Sequence, residues 1–166
     1  REASEQLADL LEAEQARSKT DILTGALNHG AISEAISEAI GADVALAVAM
    51  VDVDGMKAVN DTYGHQAGDQ VLLAVADAIA RGGAITGRYG GDEFLVALLD
   101  ADRAQAEAYK AAVEAALQNA NVVDPDSGAR VPVVASVGIA LYPDDADTLK
   151  ALVERADERM YEEKKG

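Results

Sequence analysis

The chain has 166 residues, of which 49% are hydrophobic and only 4% aromatic, and its formal net charge is −16. This length suits one domain with an aliphatic core, because about 150 residues already bury roughly two-thirds of the unfolded chain's surface. The acidity argues against binding a nucleic-acid polymer, since no basic surface is left to displace counterions from phosphates, but a small phosphorylated ligand stays compatible if metal ions and lysines supply local positive charge.

The chain contains no cysteine, which excludes disulfides and thiolate metal sites and is compatible with the cytoplasm. No apolar run reaches the length of a membrane span and no signal peptide opens the chain, so we expect no membrane contact from this segment. Because the chain begins with Arg1 and stops within a helical pattern at Gly166, we interpret it as a domain excised from a longer protein.

Residues 1–20 are rich in Ala, Leu, Glu and Gln and predict an N-terminal helix. Two interpretations stay open: an amphipathic helix packed on the domain, or a linker helix that couples an upstream sensor or a partner chain. A second helix is predicted from about Asn28 or His29 to Ile40, with Gly41 as its C-cap.

The unbroken apolar run of residues 44–51 predicts a buried central strand, which we expect to end in Asp52-Val53-Asp54-Gly55. Carboxylates that leave the end of a buried strand are costly unless they are solvated, hydrogen-bonded or bound to a metal. A strand that simply turns into a polar loop is the alternative.

A helix is predicted from about Gln70 to Arg81. Before it, Asn60 and Asp69 are able to read a nucleobase edge, since an amide offers donor and acceptor and a carboxylate accepts from guanine N–H groups, although both residues also suit helix caps. His29 and His65 lack metal-ligand spacing, and we interpret both as structural or surface residues.

The central motif is Arg88-Tyr89-Gly90-Gly91-Asp92-Glu93-Phe94, set between the apolar runs of residues 84–86 and 95–99. Residues 90–93 predict the loop of a β-hairpin. The glycines allow a bulky anion close to the backbone, and the adjacent carboxylates repel one another unless a cation joins them. An ordinary hydrophilic turn is the alternative.

The remainder predicts a helix over residues 101–120, a loop over 121–130, a largely apolar strand over 131–141 and a final helix over 147–165. The order of elements describes an α+β sheet covered by helices.

Five groups of motifs resemble the GGDEF domain of diguanylate cyclases. They are Asp21-x-Leu23-Thr24-Gly25 with Asn28; Asp52-x-Asp54 with Lys57, Asn60-Asp61, Tyr63-Gly64-His65 and Gly68-Asp69; the motif of residues 88–94; Ser136-x-Gly138 with Tyr142-Pro143; and Ala156-Asp157 with Met160-Tyr161 and Lys164. The resemblance covers residues 21–164 and implies a linker helix at 1–20, then a catalytic domain at 21–166. The implied fold is palm-like, as in nucleotide cyclases and polymerase palms, with a mostly antiparallel sheet.

The implied reaction joins two GTP molecules into cyclic di-GMP with release of two pyrophosphates, in the cytoplasm. Each domain holds one GTP, so the resemblance implies a homodimer, fused to an upstream sensor. The implied cofactor is Mg²⁺, with Mn²⁺ as an alternative, and hard-oxygen ligands suit both the motif acids and the absence of cysteine.

The resemblance assigns roles residue by residue. Asp52, the backbone carbonyl of Val53 and Asp92 would ligate the metal, with Glu93 assisting, and Asp92 or Glu93 would deprotonate the attacking hydroxyl. The substrate contacts would be guanine at Asn60 and Asp69, the β- and γ-phosphates at Lys57 and Lys164, phosphate oxygens at the N–H groups near Gly55 and Met56, and the nucleotide's approach to the backbone at Gly90 and Gly91.

The sequence departs from the family pattern at three places. His29-Gly30 replaces a usual arginine pair, and Met56 replaces a usual aromatic residue. Arg81 occupies the first position of an inhibitory product-binding RxxD motif, but Ala84 replaces the acid, so we predict weak or absent product inhibition there. Two other functions stay open: a catalytically silent GTP-binding sensor module that regulates a fused domain, and a mononucleotide cyclase.

Overall fold

A computed structural model describes residues 2–165 without the side chains of residues 12–17, so Arg1 and Gly166 of the expected terminal segments lie outside the described residues. Within that range, helices and strands follow one another in the order α1 (Glu2–Arg17), α2 (His29–Gly41), β1 (Leu46–Val53), α3 (Met56–Tyr63), α4 (His65–Ile79), β2 (Ile85–Arg88), β3 (Glu93–Leu99), α5 (Arg103–Gln118), β4 (Val122–Val123), β5 (Arg130–Val131), β6 (Ala135–Tyr142) and α6 (Leu149–Lys165).

The central sheet has four strands in the order β2-β3-β1-β6, and every neighbouring pair is antiparallel. The predicted α+β class with a mostly antiparallel sheet covered by helices is therefore confirmed. Strand β1 is central, as its continuous apolar run predicts, because a strand with helices on both faces has no solvent side.

Side chains along β1 alternate between two cores, because successive residues of a strand point to opposite faces. One face packs on α3, α4 and α5, and its β1 members are Ala47, Ala49, Val51 and Val53. The other face packs on α2 and α6, and its β1 members are Leu46, Val48 and Met50. By this alternation Asp52, next after Met50 on the same face, lies on the side of the sheet that α6 covers.

Three boundaries differ from the predictions around β1. The strand does not stop before Asp52 but continues through Val53, since Asp52 pairs with Glu93 on one side and Ser136 on the other. Residues 56–63, to which we assigned no element, form α3. Helix α4 begins at His65 instead of Gln70, directly after Gly64, whose φ of 93° ends α3 in a conformation that glycine adopts readily.

Turns and one helix end also differ from the predictions. Glu93 is the first residue of β3 and not part of the hairpin loop, because its partner Asp52 extends the ladder. The predicted loop of residues 121–130 contains the small β4–β5 hairpin, whose turn is held by hydrogen bonds from Ser127 to the Asp124 side chain. Gly41 is the last residue of α2, and Ala42 is the C-cap.

Helix α1 precedes the packed domain and exposes apolar side chains. Leu7, Leu10 and Leu11 are 58%, 63% and 57% exposed. Among the described residues, none of the helices is both long enough and apolar enough to cross a membrane.

Candidate active site

A row of polar side chains crosses the sheet on the face covered by α6. Asp52 of β1 lies directly opposite Glu93 of β3 and Ser136 of β6. The antiparallel register places all three on one face, because directly opposite residues of neighbouring strands point the same way. Two acids predicted from separate motifs are thus neighbours.

Helix α6 brings a lysine over this row. Its buried residues Leu152, Ala156 and Met160 recur every four positions, and Lys164 continues that stripe past the end of the apolar core. The Nζ of Lys164 donates to Asp52 Oδ2 at 2.7 Å and to Asp54 Oδ1 at 2.9 Å. Asp54 Oδ2 in turn accepts from the Ser136 hydroxyl at 2.8 Å. Lys164, expected at the phosphates, therefore contacts the acids.

Burial dominates the electrostatics of these acids. It raises the pKa of Asp52; hydrogen bonding and charge attraction from Lys164 oppose the rise, while Asp92 and Asp54 add to it. Burial also raises the pKa of Glu93, and repulsion from Asp52, Asp157 and Asp92 adds to that rise. The acids therefore lie within electrostatic reach of one another and carry more negative charge than their surroundings neutralise.

The donor set fits a hard divalent cation. Asp52 Oδ1 is buried and accepts no hydrogen bond from any described group, so one lone-pair-bearing oxygen is left without a partner. Within residues 2–165 no three acidic or imidazole side chains form a ready-made metal cluster. Mg²⁺ is typically held by one or two carboxylates together with substrate phosphates, and the unpartnered Oδ1 of Asp52 suits such a ligand.

A cavity of about 510 Å³ opens beside the acids, within the size range of small-ligand sites. It gathers most of the predicted nucleotide contacts and several residues to which we assigned no role. Its lining residues are Met56, Lys57, Asn60, Asp61, His65, Asp69, Leu72, Arg88, Gly91 and Asp92. The two proposed guanine contacts and one proposed phosphate contact thus share one space with the signature turn.

The first turn of α3 is suited to phosphate oxygens. Gly55 precedes the helix with a φ of 71°, and no side chain caps the N-terminal N–H groups. Uncapped N–H groups at a helix N-terminus attract anions through their partial positive charge. Gly68 of α4 maintains the geometry nearby, because a Cβ there would collide with the Asn60 side-chain amide.

Backbone and arginine contacts hold the signature turn. The Val53 N–H donates to the Asp92 carbonyl at 2.9 Å, and the Tyr89 N–H donates to the Glu93 carbonyl at 2.8 Å. Arg88 donates through Nη2 to the Gly91 carbonyl at 2.7 Å and pairs with Asp21 at 3.3 Å. The turn is therefore tied to the end of β1 and to the segment that follows α1.

Other predicted residues lie outside the cavity. Six of them border the acid row or the turn and do not line the cavity: Asp52, Val53, Gly55, Gly90, Glu93 and Lys164. Arg81 is exposed and lines a different cavity of about 480 Å³ with Gly82, Gly83 and Leu98. His29 is a surface residue, as predicted: its Nδ1 lies 2.8 Å from the Tyr89 carbonyl oxygen, and its ring stacks on that of Tyr89.

Four residues shape the site although no role was predicted for them from the sequence. Arg88 and Ser136 stood within quoted motifs, so their position was a usable signal. Asp54 stands in the same motif as Asp52, and its carboxylate accepts the hydrogen bond from the Ser136 hydroxyl. Glu163 gave no signal: it accepts from the Val137 N–H at 3.2 Å and pairs with Lys110, which fixes the end of α6 beside Lys164.

Comparisons with known proteins show the family and the fold of this chain. A family model described as diguanylate cyclase, GGDEF domain, matches residues 18–166. Diguanylate cyclase A of Treponema denticola is 37% identical over 122 residues, which are 72% of this chain and 32% of that protein. The chain thus spans about a third of that relative's length.

Solved structures share the fold. A structure comprising only the GGDEF domain of TpbB (YfiN) from Pseudomonas aeruginosa is 37% identical, with a TM-score of 0.80 and 88% of both chains covered. The GGDEF domain of DgcB from Caulobacter crescentus in complex with c-di-GMP is 26% identical, with a TM-score of 0.81, covering 90% of this chain and 91% of that one. Both the resemblance and the palm-like fold that it implies are confirmed.

Proposed function

This chain belongs to the diguanylate cyclase GGDEF domain family, and from that premise we propose that it condenses two GTP molecules into cyclic di-GMP. Two pyrophosphates leave, a divalent cation is required, and two copies of the domain act together. The chain spans only part of its curated relatives, so the proposal concerns the activity of this domain.

One observation carries the proposal. The cavity of about 510 Å³ joins Asn60 and Asp69, Lys57, and the signature residues Gly91 and Asp92 in one space beside Asp52. Asn60 and Asp69 match the edge of guanine, which offers an acceptor and two donors. A purine nucleotide that satisfies them directs its phosphates toward Lys57 and the uncapped first turn of α3.

The carboxylates supply the remaining chemistry. Asp52, the Val53 carbonyl and Asp92 would hold Mg²⁺ or Mn²⁺, with Glu93 beside them. The cation, when bound, neutralises charge on the phosphates and favours loss of pyrophosphate. The 3′-hydroxyl of one GTP attacks the α-phosphorus of the other, its proton passes to a carboxylate of the Asp92–Glu93 pair, and the bond to the β-phosphate breaks.

The reaction needs a second copy of the site, because each domain supplies one GTP. The exposed leucines of α1 support a homodimer, since Leu7 and Leu10 or Leu11 are spaced as on one face of a helix and stand in solvent. An upstream sensor that changes how two α1 helices pair would then control how the two half-sites meet.

Product inhibition through Arg81 is expected to be weak. Arg81 donates through Nε to the Ala78 carbonyl at 2.5 Å, and Ala84 offers no side-chain acceptor for a guanine. Isothermal titration with cyclic di-GMP checks this, and tight binding that disappears in Arg81→Ala would overturn it. We place the domain in the cytoplasm, where its proposed substrate GTP is made.

The decisive experiment joins two domains through a fused coiled coil and supplies GTP with Mg²⁺. We expect cyclic di-GMP, a loss of turnover in Asp92→Ala, and normal turnover in Asp126→Ala, which removes an exposed acid far from the motif. Binding of GTP without product in the forced dimer would instead identify a sensor module. A cyclic mononucleotide in chromatography would identify the third candidate function.

A further inference from the structure

Lys164 is in a position that the proposed phosphate contact does not explain. The side chain is 29% exposed and reaches away from the cavity into the row of acids. Its Nζ lies within 3 Å of two carboxylate oxygens from different residues, Asp52 Oδ2 at 2.7 Å and Asp54 Oδ1 at 2.9 Å. Among the described side chains, these are the ion pairs that the two acids make.

The arrangement uses the ammonium group as a divalent cation would be used. One positive centre bridges two hard-oxygen ligands, and one of them, Asp52, is a proposed metal ligand. The second oxygen of Asp54 accepts a hydrogen bond from Ser136, whereas the second oxygen of Asp52 has no donor among the groups that the structure describes. A buried carboxylate that is only half satisfied is able to accept a further cation.

The Lys164 ammonium and a divalent metal ion compete for Asp52. An ammonium at ion-pair distance from Asp52 repels a metal ion bound to the same carboxylate, and the repulsion is strong where water is largely excluded. Lys164 is the penultimate residue of α6 and has a long, flexible stem, so its head group is free to move while Leu152, Ala156 and Met160 keep the helix in place.

We propose that Lys164 is a built-in counter-cation that bridges Asp52 and Asp54 in the ligand-free domain and leaves Asp52 when a divalent cation binds. This inference rests on the metal site of the proposed function. The displaced ammonium has an anionic destination in the phosphates of GTP. Metal and nucleotide therefore bind with positive coupling, and the metal alone binds weakly.

The first test measures Mn²⁺ binding by isothermal titration without nucleotide. Lys164→Met is expected to bind Mn²⁺ at least about 10-fold more tightly than the unaltered domain. Lys165→Met is the matched control, because it removes the same charge one residue away, where the ammonium lies over the Tyr161 ring at 5.0 Å. We expect the control to differ by less than about twofold, since an exposed charge is screened.

Equal or weaker Mn²⁺ binding by Lys164→Met would overturn the proposal, and so would equal tightening in both variants, which would indicate a general charge effect. Should Lys164→Met fail to fold, Lys164→Gln and the following measurement on the unaltered domain carry the test.

The second test follows the lysine itself. An amine-reactive reagent with mass-spectrometric readout is expected to label Lys164 several-fold faster once Mn²⁺ saturates the nucleotide-free domain, while labelling of Lys165 stays constant. Unchanged labelling of Lys164 at saturating Mn²⁺ contradicts the displacement. Neither test uses turnover: a domain that passes both but makes no cyclic di-GMP refutes the proposed function and keeps this inference.

Discussion

Asp52 and Asp145 lie at opposite ends of the same sheet, and they differ in how completely their carboxylates are hydrogen-bonded. Asp52 is the penultimate residue of β1, whereas Asp145 follows β6, whose last residue Tyr142 pairs with the first residue of β1. Their side chains are similarly shielded, at 18% and 12% exposed. Asp145 accepts hydrogen bonds from Arg103, Arg159 and the Leu141 N–H, but Asp52 has Lys164 and one oxygen without a partner.

The balance between burial and hydrogen-bond partners shifts the two pKa values in opposite directions. At Asp145, burial acts to raise the pKa, but the hydrogen bonds from Arg159, Leu141 and Arg103 outweigh it and hold the pKa well below its usual range. At Asp52, burial prevails over Lys164 and the pKa is raised. A carboxylate with complete partners stabilises the fold, and one with incomplete partners is available for a ligand.

The largest effect is expected for Asp52→Asn. Turnover should fall on the order of 10³-fold, because a proposed metal ligand is lost. The metal-free domain should unfold at the same or a higher urea concentration, since ionised Asp52 does not gain from folding. Rates of cyclic di-GMP formation and urea unfolding with a chelator measure the two quantities. Asp126→Asn is the control, and a strong loss of stability with retained turnover would contradict the assignment.

Asp145→Asn should show the reverse. Removing the charge weakens hydrogen bonds from two arginines and should cost about 2 kcal/mol in the free energy of unfolding. Turnover per folded molecule should not change, because the site lies at the other end of the sheet. Asp144→Asn, at an exposed neighbour, is the control for urea unfolding. Full stability in Asp145→Asn would remove the contrast.

The two acids should also give opposite pH dependence. Because the folded-state pKa of Asp145 is lowered, its stabilisation is fully present above the ordinary carboxylate range and is lost progressively as pH falls below that range and through the lowered pKa. Because the pKa of Glu93 is raised, its ionisation costs stability as pH rises through that range and above it. Urea unfolding of metal-free domains at pH 3 and pH 7 should show the deficit of Asp145→Asn shrinking at pH 3. It should also show Glu93→Gln gaining stability at pH 7. Equal slopes for both would contradict these shifts.

The smallest effect is expected for Ser136→Ala. Loss of its hydrogen bond to Asp54 should cost about 1 kcal/mol. Ser127→Ala, which removes a similar hydrogen bond of 2.6 Å to Asp124 outside the row of acids, should cost about as much. We expect only Ser136→Ala to change Mn²⁺ affinity in titration. If both serines change it equally, Asp54 has no special relation to the metal.

Motifs and local patterns were enough to predict the main elements that frame the proposed site. The apolar run before Asp52 identified the central strand, and the glycine and carboxylate pairs of residues 90–93 identified the turn. The predicted final helix was also observed as α6, which buries Leu152, Ala156 and Met160. The extension of β1 through Asp52 was not predictable from the chain alone. It depends on pairing with residues of β3 and β6, and a polar side chain such as Asp52 does not indicate that pairing.

The amino-acid sequence by itself therefore determined the family and the fold class, and it supplied the residues that we propose to bind GTP and a metal. Only the tertiary structure decided which acids are neutralised. Asp52 meets Lys164 because strand alternation and register put it on the face covered by α6, whereas Asp145 meets Arg159 within α6 and Arg103 at the start of α5. Such pairings depend on the packing of elements that are distant in sequence. That packing gives Asp145 a full set of partners and leaves Asp52 with an unpaired oxygen among the described groups.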